Sequence, residues 1–287
     1  MRILQNDGER ILHGERILHG EVHILHLYHD LMNLYGDWAN VAALERELSA
    51  RGVMPLTDRK SVGDDIDFDG YDFVYIGSGT ERSQKACMND LARHALAFTD
   101  KIHAGMHVLA TGNSHELFGY EITEAGGERY KALGLLDFAT ARTGTRVAGD
   151  CVCKAISPSI AGFLPDRLIG FINRAGHGQS GSIERPFFTE MGPGARDRET
   201  ANGQTSPEGC GSTRNYEGIM YNNLLGTYMT GPVLIRNPCL LRYLADRLCP
   251  DPLNARTGDD PFFEYQEAAY RTALKELSAR LASRRLR

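Results

Sequence analysis

No stretch of this chain approaches the roughly eighteen uninterrupted apolar residues of a membrane-spanning helix, so membrane insertion is not expected. The first residues carry Asp7, Glu9, Arg10 and Glu15 where a signal peptide would have its apolar centre, and a cytoplasmic location is expected. Excess charge of one sign is also missing. The net charge is -5, from 32 basic and 37 acidic residues that are interspersed, so neither a polybasic face for nucleic acid nor an acidic tail is present. Cysteine is sparse and unpatterned: Cys87, Cys151, Cys153, Cys210, Cys239 and Cys249 form no CxxC and no paired zinc spacing. Reduced, mostly buried thiols are the expectation, with no metal and no other cofactor implied. Cys151 and Cys153, two apart in an expected strand, face one side, but no further ligands are in view.

What is present is an ordinary globular composition, 42% hydrophobic over 287 residues, enough to bury a substantial core. A direct repeat, GERILH at 8–13 and 14–19, opens the chain and is followed by a looser copy. Two copies fall short of the roughly three that a solenoid needs, so residues 1–20 read as a repeat or leader and residues 21–287 as a single domain. Val22 to Tyr28 alternates apolar and polar residues as a first strand, and 38–51 sets Val41, Leu44 and Leu48 on one helical face with Gly52 as a stop. Phe73–Ile76 is a second apolar run, 83–98 a second helix, and 106–111 a third strand. This β-α-β-α-β order predicts an α/β fold of three layers, a mostly parallel sheet flanked by helices, with sites at the carboxyl ends of the strands. Beyond residue 130 the pattern is strand-rich, with 146–156, 168–173 and 223–229 the clearest candidates. The Gly/Pro-rich stretch 174–217 is too long for an ordinary connection and reads as a functional loop, a hairpin excursion or a mobile segment. A helix from Pro261 to Ala282 closes the chain, its basic end suiting the helix dipole.

Three segments carry a resemblance. Val108–Gly119 (VLATGNSHELFG) resembles the VLAICGGYQLLG elbow of class I glutamine amidotransferases, most closely the GatD type and the CobB/CobQ branch. Gly226–Pro238 (GTYMTGPVLIRNP) is similar to that family's GTYLHGPLLPKNP, and Leu27–Asp37 (LYHDLMNLYGD) to its LYPDLLNLYGD. The resemblance implies a flavodoxin-like glutaminase fold with Gly112 at the nucleophile position and Thr230 at the catalytic histidine's. Such an enzyme needs a thiolate on a strained strand-to-helix turn, two N–H groups for the oxyanion, and a histidine to move protons. Neither reactive group is here. Glycine adopts the elbow's backbone conformation without strain, so the turn survives without its chemistry.

The backbone parts do have candidates. Gly77-Ser78-Gly79 resembles the family's oxyanion strand and the N–H of Asn113 would be a second donor, although Gly-Ser-Gly after an apolar run is also an ordinary turn. Arg146 falls where the family has an arginine resembling a carboxylate clamp, and equally reads as an exposed strand arginine. Ser114, two past the elbow, and Thr111, on the other side of the strand, do not inherit the nucleophile's geometry; His115 and Glu116 are weak alternatives. His23, His26 and His29 alternate faces on a strand and cannot converge on one ion. Asp30, Asn33 and Asp37 are read as organisers of the loop after the first strand.

The resemblance therefore implies a catalytically degenerate subunit that partners a MurT-like Mur-ligase-type protein in cell-wall precursor amidation, with a glutamine-like amino acid as its possible ligand. Two alternatives stay open: an active amidotransferase subunit with an atypical mechanism, and a stand-alone amino-acid sensor.

Overall fold

The computed structural model of the chain describes residues 12–13, 16–17, 20–164, 167–192, 216–250, 256 and 260–285. Cys210 and the central part of the expected 174–217 loop lie outside them. Leu12–His13 and Arg16–Ile17, one segment from each copy of the repeat, pair antiparallel. In chain order there follow β1 (Glu21–Leu27), α1 (Trp38–Ala50), β2 (Met54–Lys60), β3 (Phe73–Ile76), α2 (Glu81–Leu91), α3 (Ala95–His103) and β4 (His107–Thr111). Next come β5 (Glu121–Thr123), β6 (Arg129–Lys131), β7 (Phe138–Ala155), β8 (Leu168–Gly181), β9 (Phe187–Met191) and β10 (Tyr216–Glu217). After these come β11 (Ile219–Tyr221), β12 (Leu224–Thr227), β13 (Met229–Thr230), α4 (Pro238–Leu248) and α5 (Pro261–Arg285), with short helical turns at Phe68–Gly70, Pro158–Ala161 and Val233–Arg236.

Six strands form a sheet in the order β11-β12-β4-β3-β1-β2, parallel except at the β11 edge. All four residues of β3 are buried, as a strand covered on both faces requires. Alternation sends Ile24 and Phe73 into a core with Leu44 and Leu48 of α1 and Leu240 and Leu244 of α4. Leu25 and Val74 enter the opposite core with Cys87 and Leu91 of α2 and Phe98 and Ile102 of α3. This is the expected sheet between two helical layers. The chain runs from β1 outward to β2 and then returns to β3 on the other side of β1, so the sheet changes direction between β1 and β3. Ligands of such sheets bind at the carboxyl ends beside that switch.

A second, mostly antiparallel sheet has the order β10-β9-β7-β8-β13, with β5 and β6 at its side. Here the structure departs from the sequence reading. β7 begins at Phe138 instead of Arg146, and β8 continues to Gly181, into the stretch from Arg174 that the sequence leaves as a loop, a hairpin excursion or a mobile segment. The outer half of the β7–β8 hairpin is held by backbone pairing while β7 residues 143–146 are exposed, so no apolar alternation marks it. The expected strand 223–229 is split: β12 pairs with β4 in the first sheet and β13 with β8 in the second. Glu217 accounts for the break, its carboxylate accepting from the N–H of Tyr228 at 2.5 Å and from Thr227 Oγ1 at 2.9 Å. Helix 83–98 is also interrupted, by a tight turn at Ala92–His94, although Leu91 and Phe98 keep a spacing that an unbroken helix would share. The half-exposed edge strand β2, MPLTDRK, has little apolar pattern and gave no signal.

Candidate functional site

β4 carries Thr111 to the carboxyl edge of the first sheet, and the chain turns there at Gly112 with φ +64°. That is left-handed backbone, which glycine occupies freely and other residues rarely do. Gly112–Phe118 then coils as a 3-10 helix, so the strand-to-helix turn leads into a tighter coil than an α-helix. Side chains hold it so: Ser114 Oγ donates to the carbonyls of Thr111 (2.8 Å) and Ile76 (3.0 Å), and His115 Nδ1 lies 2.8 Å from the carbonyl of Gly112. Both side chains are fully buried and are consumed by the turn. Burial pushes the His115 imidazole down to about 3, so it stays neutral, edge-on to the Tyr228 ring at 4.1 Å.

The residues expected to matter come together. Ser78, Gly79, Gly112, Asn113, Arg146 and Thr230 line one cleft beside the switch point, with about 350 Å³ of empty volume, open solvent included. Gly77 lies beneath it, where a Cβ would fall 2.1 Å from the carbonyl oxygen of Met32. Thr230 reaches the cleft because the chain crosses between sheets at Tyr228; its Oγ1 donates to the carbonyl of Phe171 at 2.8 Å. Among the described residues lining the cleft there is no cysteine and no histidine.

Two of the backbone N–H groups expected as oxyanion donors, those of Ser78 and Gly79, are engaged within the fold. The N–H of Gly79 donates to Asn113 Oδ1 at 3.0 Å, and the N–H of Ser78 to Asp37 Oδ2 at 3.0 Å. Ser78 Oγ donates to the same Asp37 oxygen at 2.6 Å. Asp37 does more than shape its own loop, where Asn33 Oδ1 accepts from the N–H of Trp38 at 2.9 Å and Asp30 Oδ1 from Ser61 Oγ at 2.5 Å. It is fully buried, and burial raises its carboxyl while the hydrogen bonds from Ser78 oppose that rise. Behind it the Tyr75 hydroxyl lies 2.8 Å from Thr111 Oγ1 and accepts from Asn40 Nδ2 at 2.7 Å. Asn40 Oδ1 in turn accepts from the N–H of Leu234 at 2.8 Å. One buried polar network thus ties the β1 loop, β3, the elbow and the segment after Thr230.

Arg146, half-exposed, donates through Nε to Asn173 Oδ1 at 2.6 Å and lies 3.6 Å from Glu81. Sequence reasoning missed Arg142, Asn173 and Arg174, which also line the cleft. Arg142 Nη2 meets Glu116 Oε2 at 2.5 Å and its Nη1 reaches Glu124 Oε1 at 2.8 Å. Glu116 also accepts from the Tyr228 hydroxyl at 2.8 Å, and Arg174 lies over the Tyr228 ring at 4.5 Å. Arg142 and Arg174 sit on the β7–β8 hairpin, whose exposed stretch at 143–146 carries no apolar alternation to place their side chains at the cleft.

Of the three histidines, His23 projects outward beside Glu21, while His26 is buried and its ring lies 6.0 Å from that of His29, which follows the end of β1 and so falls outside the strand alternation. Among the described residues no group of three His, Cys, Asp or Glu is placed to hold a metal ion. Also among the described residues, no helix is long and apolar enough to cross a membrane.

The model of the CobB/CobQ-like glutamine amidotransferase domain matches residues 23–238. The chain belongs to that family. It is 28% identical over 231 residues to the lipid II isoglutaminyl synthase (glutamine-hydrolyzing) subunit GatD of Staphylococcus aureus strain N315, covering 80% of this chain and 85% of the relative. The GatD subunit of Streptococcus pneumoniae R6 is 29% identical over 241 residues, 84% of each chain. Among solved structures, a glutamine amidotransferase of Thermotoga maritima superposes with a TM-score of 0.46 at 14% identity, covering 92% of this chain and 97% of that one. The acivicin-bound glutaminase domain of Trypanosoma brucei CTPS gives 0.45 at 10% identity, covering 83% and 98%.

Proposed function

We propose that this chain is a glutamine amidotransferase-like subunit whose own elbow does not hydrolyse glutamine, and that it serves a Mur-ligase-like partner in amidation of a cell-wall precursor such as lipid II. The relatives named as lipid II isoglutaminyl synthase subunits support the pathway. The observation that carries the degenerate reading is the state of the elbow. Gly112 supplies no thiol and Thr230 no base, while the N–H groups of Ser78 and Gly79 already donate to Asp37 and Asn113. An oxyanion hole works through donors aimed at the developing charge and unoccupied by other acceptors. A glutamine-like amino acid, held through its carboxylate by Arg146, is the ligand the cleft suits best.

The test is glutamate release from glutamine by the purified chain, alone and with whatever partner co-purifies. Turnover indistinguishable from a heat-killed control is expected, since losing both members of a nucleophile–base pair costs several orders of magnitude. Clear turnover sinks the reading.

One observation favours an active site of another kind. Ser78, which lines the cleft, donates through Oγ at 2.6 Å to the carboxylate of Asp37, which is buried behind it. If turnover is found and Ser78→Ala abolishes it, that pair and not the elbow is the active centre.

A further inference from the structure

A Cβ built on Gly112 would lie 2.2 Å from Cβ of Ser78, 3.2 Å from its Oγ and 3.3 Å from its Cα. At 2.2 Å no rotamer change helps, because Cβ moves only with the backbone. Ser78 is also fixed from behind. Its N–H and Oγ both donate to Asp37 Oδ2, and its carbonyl accepts from the N–H of Leu34 at 2.9 Å. Its two neighbours leave the strand nowhere to retreat: a Cβ on Gly77 would meet the Met32 carbonyl oxygen at 2.1 Å, and one on Gly79 would meet Met32 Sδ at 2.5 Å.

Taking the elbow as inactive in the sense proposed above, we infer that Ser78, clamped by Asp37, is the residue that closes the elbow to any side chain at position 112. Glycine at 112 is then required by volume as well as by its positive φ. The missing side chain at 112 and the present side chain at 78 are two halves of one exchange of space, and Asp37 is the positioning residue that holds the second half in place. A nucleophile at 112 needs a glycine at 78 before it needs a base.

The test is a stability cycle on the full chain with Gly112→Ala, Ser78→Gly and both together. Backbone strain at 112 is common to the single and double alanine variants and cancels between them, so any recovery reports the contact with residue 78. Gly112→Ala is expected to lower Tm by about 4 °C or more. Ser78→Gly in that background should recover at least half of the loss, beyond the effect of Ser78→Gly alone. Ser78→Ala in the same background, which keeps Cβ and removes only the hydroxyl, should recover nothing. Additive changes, or equal recovery by alanine and glycine at 78, overturn the inference. If Gly112→Ala does not fold, the readout becomes which double variant does: folding restored by glycine and not by alanine at 78 supports the inference, and restoration by neither or by both overturns it. Glutamate release by the unaltered chain is measured separately, so a failure of the inactive reading and a failure of this one leave different results.

Discussion

The guanidinium of Arg142 meets the carboxylate of Glu116 at 2.5 Å in the floor of the cleft, with both side chains almost wholly withdrawn from water. Such a pair contributes little net stability compared with well-packed apolar groups, but removing Glu116 leaves the buried Arg142 charge only partly compensated, by Glu124 and Gln84. Burial works against the Arg142 charge, and Glu116, together with Tyr130 and Glu124, more than offsets this and raises its pKa. Glu116→Ala is expected to cost about 3 kcal/mol in urea unfolding, while Arg142→Met with Glu116→Leu costs less than the two single changes summed. Additive losses would show that the pair is not coupled.

Glu217 sets a pH dependence. Burial pushes its carboxyl up to about 7, against hydrogen bonds from Tyr228 and Thr227 and the nearby charges of Arg174 and Arg185, which act to lower it. The folded chain therefore holds a proton here that the unfolded chain has released, from the ordinary glutamate value of 4.5 to about 7. The contribution is fully present below pH 4.5 and is lost as pH rises through about 7. His115, lowered to about 3, has the opposite slope: its contribution is present above 6.5 and fades as pH falls towards 3. Comparing wild type with Glu217→Gln isolates the first effect. The difference in unfolding free energy should change by about 3 kcal/mol across that window and be flat above it; a difference independent of pH would refute the assignment.

How much of this was legible beforehand follows from range. Phe73–Ile76 announced a doubly covered strand by its apolar run, and Gly112 announced its turn because the elbow is local. The clamp on Ser78 was not visible, since Asp37 lies 41 residues away and only the β1–β3 pairing brings the two together. Arg142 and Arg174 went unread for another reason. They sit on strands whose outer ends are stabilised by backbone ladders, and backbone ladders leave no mark on side-chain pattern. Thr230 was placed at the site by family resemblance, but its route there, a crossing between two sheets within β12–β13, was not apparent from a segment that reads as one strand.

Affinity purification from the native source should recover a Mur-ligase-like protein in near-stoichiometric amount with this chain. The relatives named as subunits of a lipid II isoglutaminyl synthase motivate the expectation, together with the proposal above that this elbow does not itself hydrolyse glutamine. A lone monomer across several salt concentrations would count against the partnership and favour an amino-acid sensor.

Re-arming the elbow is the most demanding prediction. The family resemblance suggests Gly112→Cys with Thr230→His, since nucleophile and base act as a unit. The 2.2 Å approach of Ser78 Cβ to the position of a Cβ at 112 changes that expectation. Gly112→Cys with Thr230→His alone should be destabilised and form no adduct with an electrophilic glutamine analogue. Adding Ser78→Gly should permit covalent labelling at position 112, read as adduct mass on the tryptic peptide. Turnover of glutamine should still stay poor in that triple variant, because Asn113 Oδ1 continues to accept the Gly79 N–H at 3.0 Å and so occupies a donor that an oxyanion would need. Asn113→Ala in the same background frees that N–H and is expected to raise the rate of glutamate release with little effect on the extent of labelling. Labelling that appears without Ser78→Gly would show that the elbow relaxes to accept a side chain, and a folded triple variant that never labels would show that the cleft no longer admits the ligand.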